Sequence, residues 1–424
     1  MRERRTWGSG LRFWIFDFGF WIAKHGKLIA LAALLIVVPL AVGAVEIQWK
    51  KHVIDRGTCE VCCVMDVDKD GILDIVSGDN WYKGPDWWRR PCQELVWEGE
   101  YLNDCGDWPF DVDGDGFVDI VSAGFFNKGL VWAENPRIDA KDPKLKLNQY
   151  KRWTTHSFSP PFFVEMVLMV DIDGDGRKDI LSDDNEPIRW IEIGKDDKGQ
   201  PAFIPHMIGK QGNGHGIGWG DINGDGRLDI LTGEGWWEQP PDPRKDAWTW
   251  HGEWVLDPPE RRPNDPMLTL DVNGDGLADV IWGKGHGYGL YWMEQGKPGP
   301  DGKRTWKQHV IDESWSQVHP LTLADLSGDG VPDLITGKRF RAHNDGDPGG
   351  GDPPPAGQGD PRGVYWYETD RKNASFIKHV IEYDGTAGGG LNIVAVDIDK
   401  DGDLDLVCPG KSGLYLFENL GPKK

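Results

Sequence analysis

From residue 45 onward, the apolar residues fall in short runs rich in Val, Ile, Trp and Tyr, with polar residues alternating inside them and Gly, Asp or Pro between them. A period of two over runs this short predicts β-strands. Four such runs recur as a unit. The first (VEMVLMVD, GIGWGD, PLTLAD, NIVAVD) enters an Asp-rich loop, and the second (DIVSG, DILTG, DVIWG) leaves it. The third alternates aromatics: GLVWAEN at 129, GLYWMEQ at 289, GVYWYET at 363 and GLYLFEN at 413. The fourth carries a shared His, in RWTTHSF at 152, FIPHMI at 203, WKQHVID at 306 and FIKHVIEY at 376. Repeats of four short strands predict an all-β protein made of small twisted sheets.

The loop between the first two strands is the nonapeptide D-x-[DNS]-x-D-G-x-x-D, present seven times, with starts 45, 60, 50, 50, 54 and 72 residues apart. Positions 1, 3, 5 and 9 are Asp66, Asp68, Asp70 and Asp74 in the first copy, and Asp111, Asp113, Asp115 and Asp119 in the second. They are Asp171, Asp173, Asp175 and Asp179 in the third, then Asp221, Asn223, Asp225 and Asp229 in the fourth. The last three copies carry Asp271, Asn273, Asp275 and Asp279; Asp325, Ser327, Asp329 and Asp333; and Asp397, Asp399, Asp401 and Asp405. Oxygens at this spacing suit a hard divalent cation, so up to seven structural Ca²⁺ are expected, and the Gly at position 6 permits the turn. An EF-hand opens in the same way but needs Glu at position 12. Here that position holds Ser77, Ser122, Ser182, Thr232, Trp282, Thr336 and Cys408.

The chain ends after the third strand of the seventh repeat, at GLYLFENLGPKK. The missing fourth strand stands at the start, because WKKHVID at 49 nearly duplicates WKQHVID at 306. An N-terminal strand that completes the last repeat predicts a closed ring, a seven-bladed β-propeller over 45–424, in which closure also protects the strand edges.

Loop and blade together resemble the FG-GAP/VCBS repeat family, the calcium-loop propellers of integrin α-subunit heads and many bacterial exported proteins. The resemblance implies that each Asp loop joins strands one and two on the lower face. A narrower stretch, HGIGWGDINGDGRLDILTGEGWWEQP at 215–240 with GKRFRAHNDGDPG at 337–349, is similar to the propeller domain of the aldos-2-ulose dehydratase group. The cupin portion of those enzymes has no counterpart in this chain.

Charge fits a calcium-rich compartment. The net charge is −22, although the first 44 residues set six Lys/Arg against Glu3 and Asp17. The seven loops hold 26 Asp, which excludes nucleic acid as a natural partner. Residues 1–44 read as an export signal or membrane anchor, an apolar helix over 28–45 behind basic residues, with Ala41-Val42-Gly43-Ala44 suited to cleavage. An exported protein, periplasmic, extracellular or anchored at the envelope, is therefore expected. The six Cys are compatible with one or two disulfides there.

Six residues before each Asp loop, at the entrance of the innermost strand, stand Glu60, Cys105, Glu165, His215, Asp265, His319 and Leu391. The turns after the second strands add Asp79, Asn80, Asp184, Asn185, Glu234, Lys284, His286, Lys338, Arg339 and Lys411. Polar groups converging on the upper mouth of the channel mark the place to look for a ligand. Glu165, His215, Asp265 and His319 could hold one transition metal, and Lys338 with Arg339 a carboxylate or polarised carbonyl. Water-filled polar channels without function are the competing reading. The His of the fourth strands (His52, His156, His206, His309, His379) and the third-strand Trp (Trp132, Trp190, Trp292, Trp366) read as structural. Trp81, Trp236 and Trp237 follow the upper turns and are expected to be partly exposed, suited to sugar rings. Residues 341–362, rich in Gly, Pro and Asp, are an insertion in the sixth repeat that would hang over the same face.

No Ser-His-Asp arrangement, phosphate loop or dinucleotide fingerprint is present. The expected function is binding of a glycan or an envelope or extracellular protein through the upper face. The alternatives are a carbohydrate-active enzyme, a metal- or base-assisted sugar dehydratase or lyase using His215, His319, Glu165, Asp265, Lys338 and Arg339, and an adhesive scaffold.

Overall fold

A computed structural model describes residues 45–99, 101–124, 129–157, 166–182, 187–212, 215–258, 263–341, 357 and 359–423. The N-terminal export or anchor segment lies outside these residues. Among the described residues no helix is long and apolar enough to cross a membrane.

Seven four-stranded antiparallel sheets are present, as the repeat count requires. Blade 1 runs Cys63–Met65, Asp74–Ser77, Asn80–Lys83 and Trp88–Pro91. Blades 2 to 6 follow in chain order, with innermost strands Gly106–Phe110, Val167–Val170, Gly218–Gly220, Leu268–Leu270 and Val318–Ala324. Blade 7 contributes Val394–Val396, Asp405–Cys408 and Leu414–Pro422. Its outermost strand is Ile47–Asp55, paired antiparallel with Leu414–Pro422 so that Trp49 faces Asn419 and His52 faces Leu416. The ring therefore closes with the N-terminal strand, as the duplicated sequence predicts.

Every Asp loop joins the first two strands of its blade, and the innermost strands of blades 4 and 5 run parallel at Gly218 and Met267. The loops therefore share one face of the ring, and the turns after the second strands share the other. Glycine lets the blades approach closely. A Cβ on Gly218 would lie 2.2 Å from the Met267 carbonyl oxygen, so no side chain fits between these strands. The core lies between blades. The second strands are buried end to end in Ile75, Val76, Ile120, Ile180, Ile230, Val280 and Leu334, the continuous apolar run expected of strands covered on both faces.

A repeated polar device pins each outermost strand. In five blades the His of the fourth strand stacks on the Trp of the third: Trp132 on His156, Trp190 on His206, Trp236 on His251, Trp292 on His309 and Trp366 on His379, at 3.9–4.4 Å. The Nε2 of each of these His meets a Glu two residues after that Trp, at 2.7–3.2 Å. The structural reading of these His holds, and His251 joins them. Only its Trp-x-Glu partner, WWE at 236–238, marks it in the sequence.

Two expectations fail. Trp81 and Trp236 are fully buried and Trp237 nearly so: the third strand starts directly after a very short turn, which places Trp81 and Trp236 at the core Trp position, and Trp237 packs into the core cluster on the opposite face of its sheet. They are not available as sugar platforms. The six cysteines are unbridged and buried; burial pushes the thiols of Cys59, Cys62, Cys63, Cys92 and Cys408 up.

Candidate functional site

The Asp loops are built by their own backbones. In all seven, the carboxylate at position 1 accepts the N–H of the Gly at position 6, at 2.8–3.2 Å. Positions 4 and 6 both adopt left-handed backbone, φ 80° and 83° at Gly114 and Gly116. Lys69 and Lys400 accept the same conformation at position 4. The position-9 carboxylate accepts the N–H of position 2 at 2.9–3.1 Å in every loop. It is buried throughout, and burial pushes Asp74, Asp119, Asp179 and Asp229 up to about 7. These carboxylates tie loop to strand: the second oxygen of Asp74, Asp119, Asp229, Asp279, Asp333 and Asp405 accepts a further backbone N–H from beyond the second strand, and among the described residues Asp179 and Asp405 are the position-9 members of a three-carboxylate cluster.

Three carboxylates converge within 4.8 Å in four loops: Asp66, Asp68 and Asp70; Asp111, Asp113 and Asp115; Asp171, Asp173 and Asp179; and Asp397, Asp399 and Asp405. Such clusters could hold a cation. In the remaining loops Asn223, Asn273 or Ser327 replaces a carboxylate. Asp66 Oδ1 is buried without a hydrogen-bond partner, which leaves it open to an ion or a water. Several loops also meet a side-chain cation: Lys83 pairs with Asp68 and Asp70, Arg137 with Asp115, and Arg244 with Asp173 and Asp175.

The upper mouth gathers the second set of groups. Glu60 lies above blade 7, where its carbonyl accepts from Leu391 N at 2.7 Å. Arg339 of blade 6 grips it with two donors, Nε to Oε1 at 2.9 Å and Nη2 to Oε2 at 3.2 Å, and both side chains are buried. Lys411 of blade 7 reaches Glu60 Oε2 at 3.8 Å and lies 3.4 Å from the Tyr101 ring centroid. On the other side of blade 6, His215, His286 and His319 form a row with ring centroids 5.1 and 6.1 Å apart. Asp265 Oδ1 accepts the N–H groups of Gly216 and Ile217 at 2.8 and 2.6 Å, and its Oδ2 lies 3.7 Å from His215 Nδ1. Asp265 thus clasps blade 5 to blade 4, with its other oxygen close to the first histidine.

Of the residues expected to meet here, His215, Asp265, His319 and Arg339 surround the mouth, while Glu165 lies outside the described residues. Among the described residues, the converging groups of three ligands are those of the Asp loops and not of the channel. His286 completes the row. The sequence offers it only as one of ten turn residues, and the blade spacing makes it central.

Lys338 departs most from expectation. Its side chain is fully buried, and Nζ donates to Ser316 Oγ at 2.7 Å and to the Gly357 carbonyl at 2.6 Å. Neither partner is charged. Burial pushes the amine down to about 8, with Asp360 opposing. A lysine whose folded pKa lies below its unfolded value of about 10.4 costs stability while charged. That cost, about 3 kcal/mol for this shift, applies in full below pH 8 and fades as pH rises from about 8 to 10.4. The stability gap between wild type and Lys338→Met should close over that window in urea melts. A gap independent of pH would mean the amine keeps its ordinary affinity for protons.

Gly357 belongs to the insertion between strands Asp333–Lys338 and Gly363–Asp370. Its described residues meet the upper mouth, as expected: Lys338 holds Gly357, Tyr288 Oη donates to Asp360, and the Arg341 carbonyl accepts from Lys411 at 2.6 Å.

The FG-GAP-like repeat model matches residues 111–182, 171–232 and 271–336, each match running from one Asp loop through the second strand of the next blade. Comparison with curated protein sequences gives no match. Among solved structures, BBS1N in complex with ARL6DN aligns at 11% identity over 89% of this chain and 98% of its own, with a TM-score of 0.50. An Agrocybe aegerita lectin described as recognising non-reducing terminal N-acetylglucosamine aligns at 16% identity over 77% and 81%, TM-score 0.45. Rhamnogalacturonan lyase YesW aligns at 14% identity over 88% and 74%, TM-score 0.43. At such identities the likeness is one of fold.

Proposed function

We propose that this seven-bladed propeller of FG-GAP-like repeats is an exported, calcium-stabilised recognition protein that binds a glycan at its upper face. The observation that carries the reading is the polar constellation at the mouth, with buried Arg339 and Glu60 and half-buried Lys411 on one side, and on the other the row His215, His286 and His319, the last of them buried. Buried ionic groups cost desolvation energy, and a blade core needs none of them. With Trp81, Trp236 and Trp237 buried, recognition there rests on hydrogen bonds and charge instead of stacking. Histidines and an acid–base cluster converging on the mouth suit hydroxyl-bearing sugars. The loop carboxylates support calcium by their hard oxygen donors and their spacing, and the basic-then-apolar N-terminal sequence supports export.

One observation favours catalysis as the second reading. Lys338 has two neutral partners and a depressed proton affinity, the state in which an amine acts as a base. An amine in that state would suit water elimination from a keto-sugar.

Screening the protein against neutral and uronic-acid glycans, followed by titration of His286→Ala and Lys411→Ala, separates the readings. Binding weakened about tenfold or more by either variant supports recognition at the mouth. Failure of every glycan, or binding indifferent to both variants, rejects it. Conjugated product appearing from a keto-sugar, and lost in Lys338→Met, would establish the enzyme.

A further inference from the structure

The seventh blade departs from the rule that blades 2 to 6 keep. In those five the fourth-strand His stacks on a buried Trp and binds a Glu two residues further on. Blade 7 retains the His and the Glu, His52 Nε2 to Glu418 Oε2 at 2.5 Å. The residue facing His52, however, is Leu416, smaller than the indole that fills this place elsewhere. A cavity of about 300 Å³ opens there, at the seam between blades 7 and 1 on the Asp-loop face. His52, Leu416 and Glu418 line it from blade 7, and Ile72 and Trp87 from blade 1. Tight packing is the norm in such seams, so a hole retained where the indole is lost calls for an occupant.

The far wall points the same way. Trp87 sits in left-handed backbone, φ 58°, a conformation that costs a bulky residue energy and concentrates where function holds it. It packs on the blade 7–blade 1 core cluster and presents an aromatic wall beside Ile72 and Leu416. Polar groups complete the site. Glu418 is already ion-paired with Lys50 at 2.8 Å and hydrogen-bonded with His52 Nε2, while Lys400 donates to the Gly71 carbonyl at 2.5 Å. The cations of this wall are thus engaged already, and Asp399 beside them disfavours an anion.

We propose that this seam cavity is a binding site for a single neutral pyranose ring. Its apolar face lies against Trp87 and Leu416, and its hydroxyls donate to Glu418 and Asp399. A pyranose has one C–H face and a rim of hydroxyls, which matches one aromatic-aliphatic wall and one carboxylate wall. The volume is at the small end of ligand sites, so one ring enters and the rest of a glycan stays outside. This site is independent of the upper mouth and lies on the opposite face.

The test uses the full chain in millimolar calcium, titrated with methyl α-glucopyranoside, methyl α-galactopyranoside and methyl α-mannopyranoside under ligand-observed saturation-transfer NMR. At least one glycoside should bind, with a Kd on the order of millimolar, as expected for so few contacting atoms. Leu416→Trp installs the residue of the other blades. It should melt no lower than wild type and weaken binding about tenfold or more. Trp87→Ala should weaken binding comparably, and it decides the question alone if Leu416→Trp does not fold. Lys411→Ala, at the upper mouth, should leave this binding unchanged. Transfer from none of the three glycosides overturns the proposal, as does binding that survives both seam variants. Loss in Lys411→Ala alone would assign the glycoside to the mouth, ending the seam proposal and leaving the upper-face reading intact.

Discussion

Deleting residues 45–55 is expected to leave a chain that no longer melts cooperatively and that associates in solution. The deleted strand forms the whole outer edge of blade 7, in register with Leu414–Pro422 from Ile47 to Asp55. Its loss removes roughly eight ladder hydrogen bonds at about 1 kcal/mol each, together with the burial of Ile47, worth about 2 kcal/mol. Lys51, which binds Glu382 of blade 6 at 2.6 Å, goes with it. The sum is on the order of 10 kcal/mol, comparable with the whole stability of an ordinary domain. The stripped strand Leu414–Pro422 would also expose a row of unpaired backbone groups to other chains. Removing residues 421–424 is the control. It costs the Ile47–Pro422 pairing and the Lys423 N–H to the Glu46 carbonyl at 2.7 Å, about 1–2 kcal/mol. Urea melts with light scattering on both truncations decide the matter, and equal behaviour would refute closure by the N-terminal strand.

Chelation should have the second large effect. On the calcium reading, each loop filled at about 1 mM free Ca²⁺ with a Kd near ~10⁻⁴ M contributes about 1.4 kcal/mol. Roughly four to seven filled loops then contribute on the order of 5–10 kcal/mol. Without the cation the three-carboxylate clusters repel at short range, and Asp66 Oδ1 stays buried with nothing to meet. The melting temperature in excess EGTA should fall by about 10 °C or more and recover on adding calcium. Losses should be largest where three carboxylates converge. Asp111→Asn in the second loop should therefore remove more of the calcium dependence than Asp325→Asn in the sixth, where Ser327 already replaces a carboxylate. A melting temperature indifferent to EGTA would refute the calcium role. The internal cations temper the effect in places, since Lys83 already neutralises part of the first loop.

Much of this molecule is legible in its sequence because the repeats report the Asp-loop rule seven times and the pairing of Trp with His five times. Spacing of Asp residues, a strand on either side and a Trp-x-Glu with a returning His are enough to place four strands per blade and seven blades in the ring. The duplicated WKKHVID and WKQHVID settle how the ring closes, because a strand's partner is specified by its own alternation. Two readings fail for a common reason. The upper-turn Trp read as exposed because they follow turns, yet the third strand is covered on both faces once the blades pack, so even adjacent Trp236 and Trp237 are both buried, in different core clusters. Cysteine count suggests disulfides, but bridging depends on the separation and direction of Cβ atoms, which no spacing in the chain reveals.

What the sequence determined alone was everything local or repeated: the strand period, the loop chemistry, the blade count and the closing strand. Those follow from backbone sterics and from patterns read within a few residues. Tertiary structure decided what depends on convergence between distant blades. Glu60 meets Arg339 across 279 positions. His286 stands between His215 and His319, and Lys338 is sealed beneath Gly357, its two partners both neutral. A single substitution, Leu416 where other blades carry Trp, becomes a cavity only because blade 1 brings Trp87 to the other side of it. Such sites arise from packing between elements far apart in the chain, and that geometry exists only once the ring has closed.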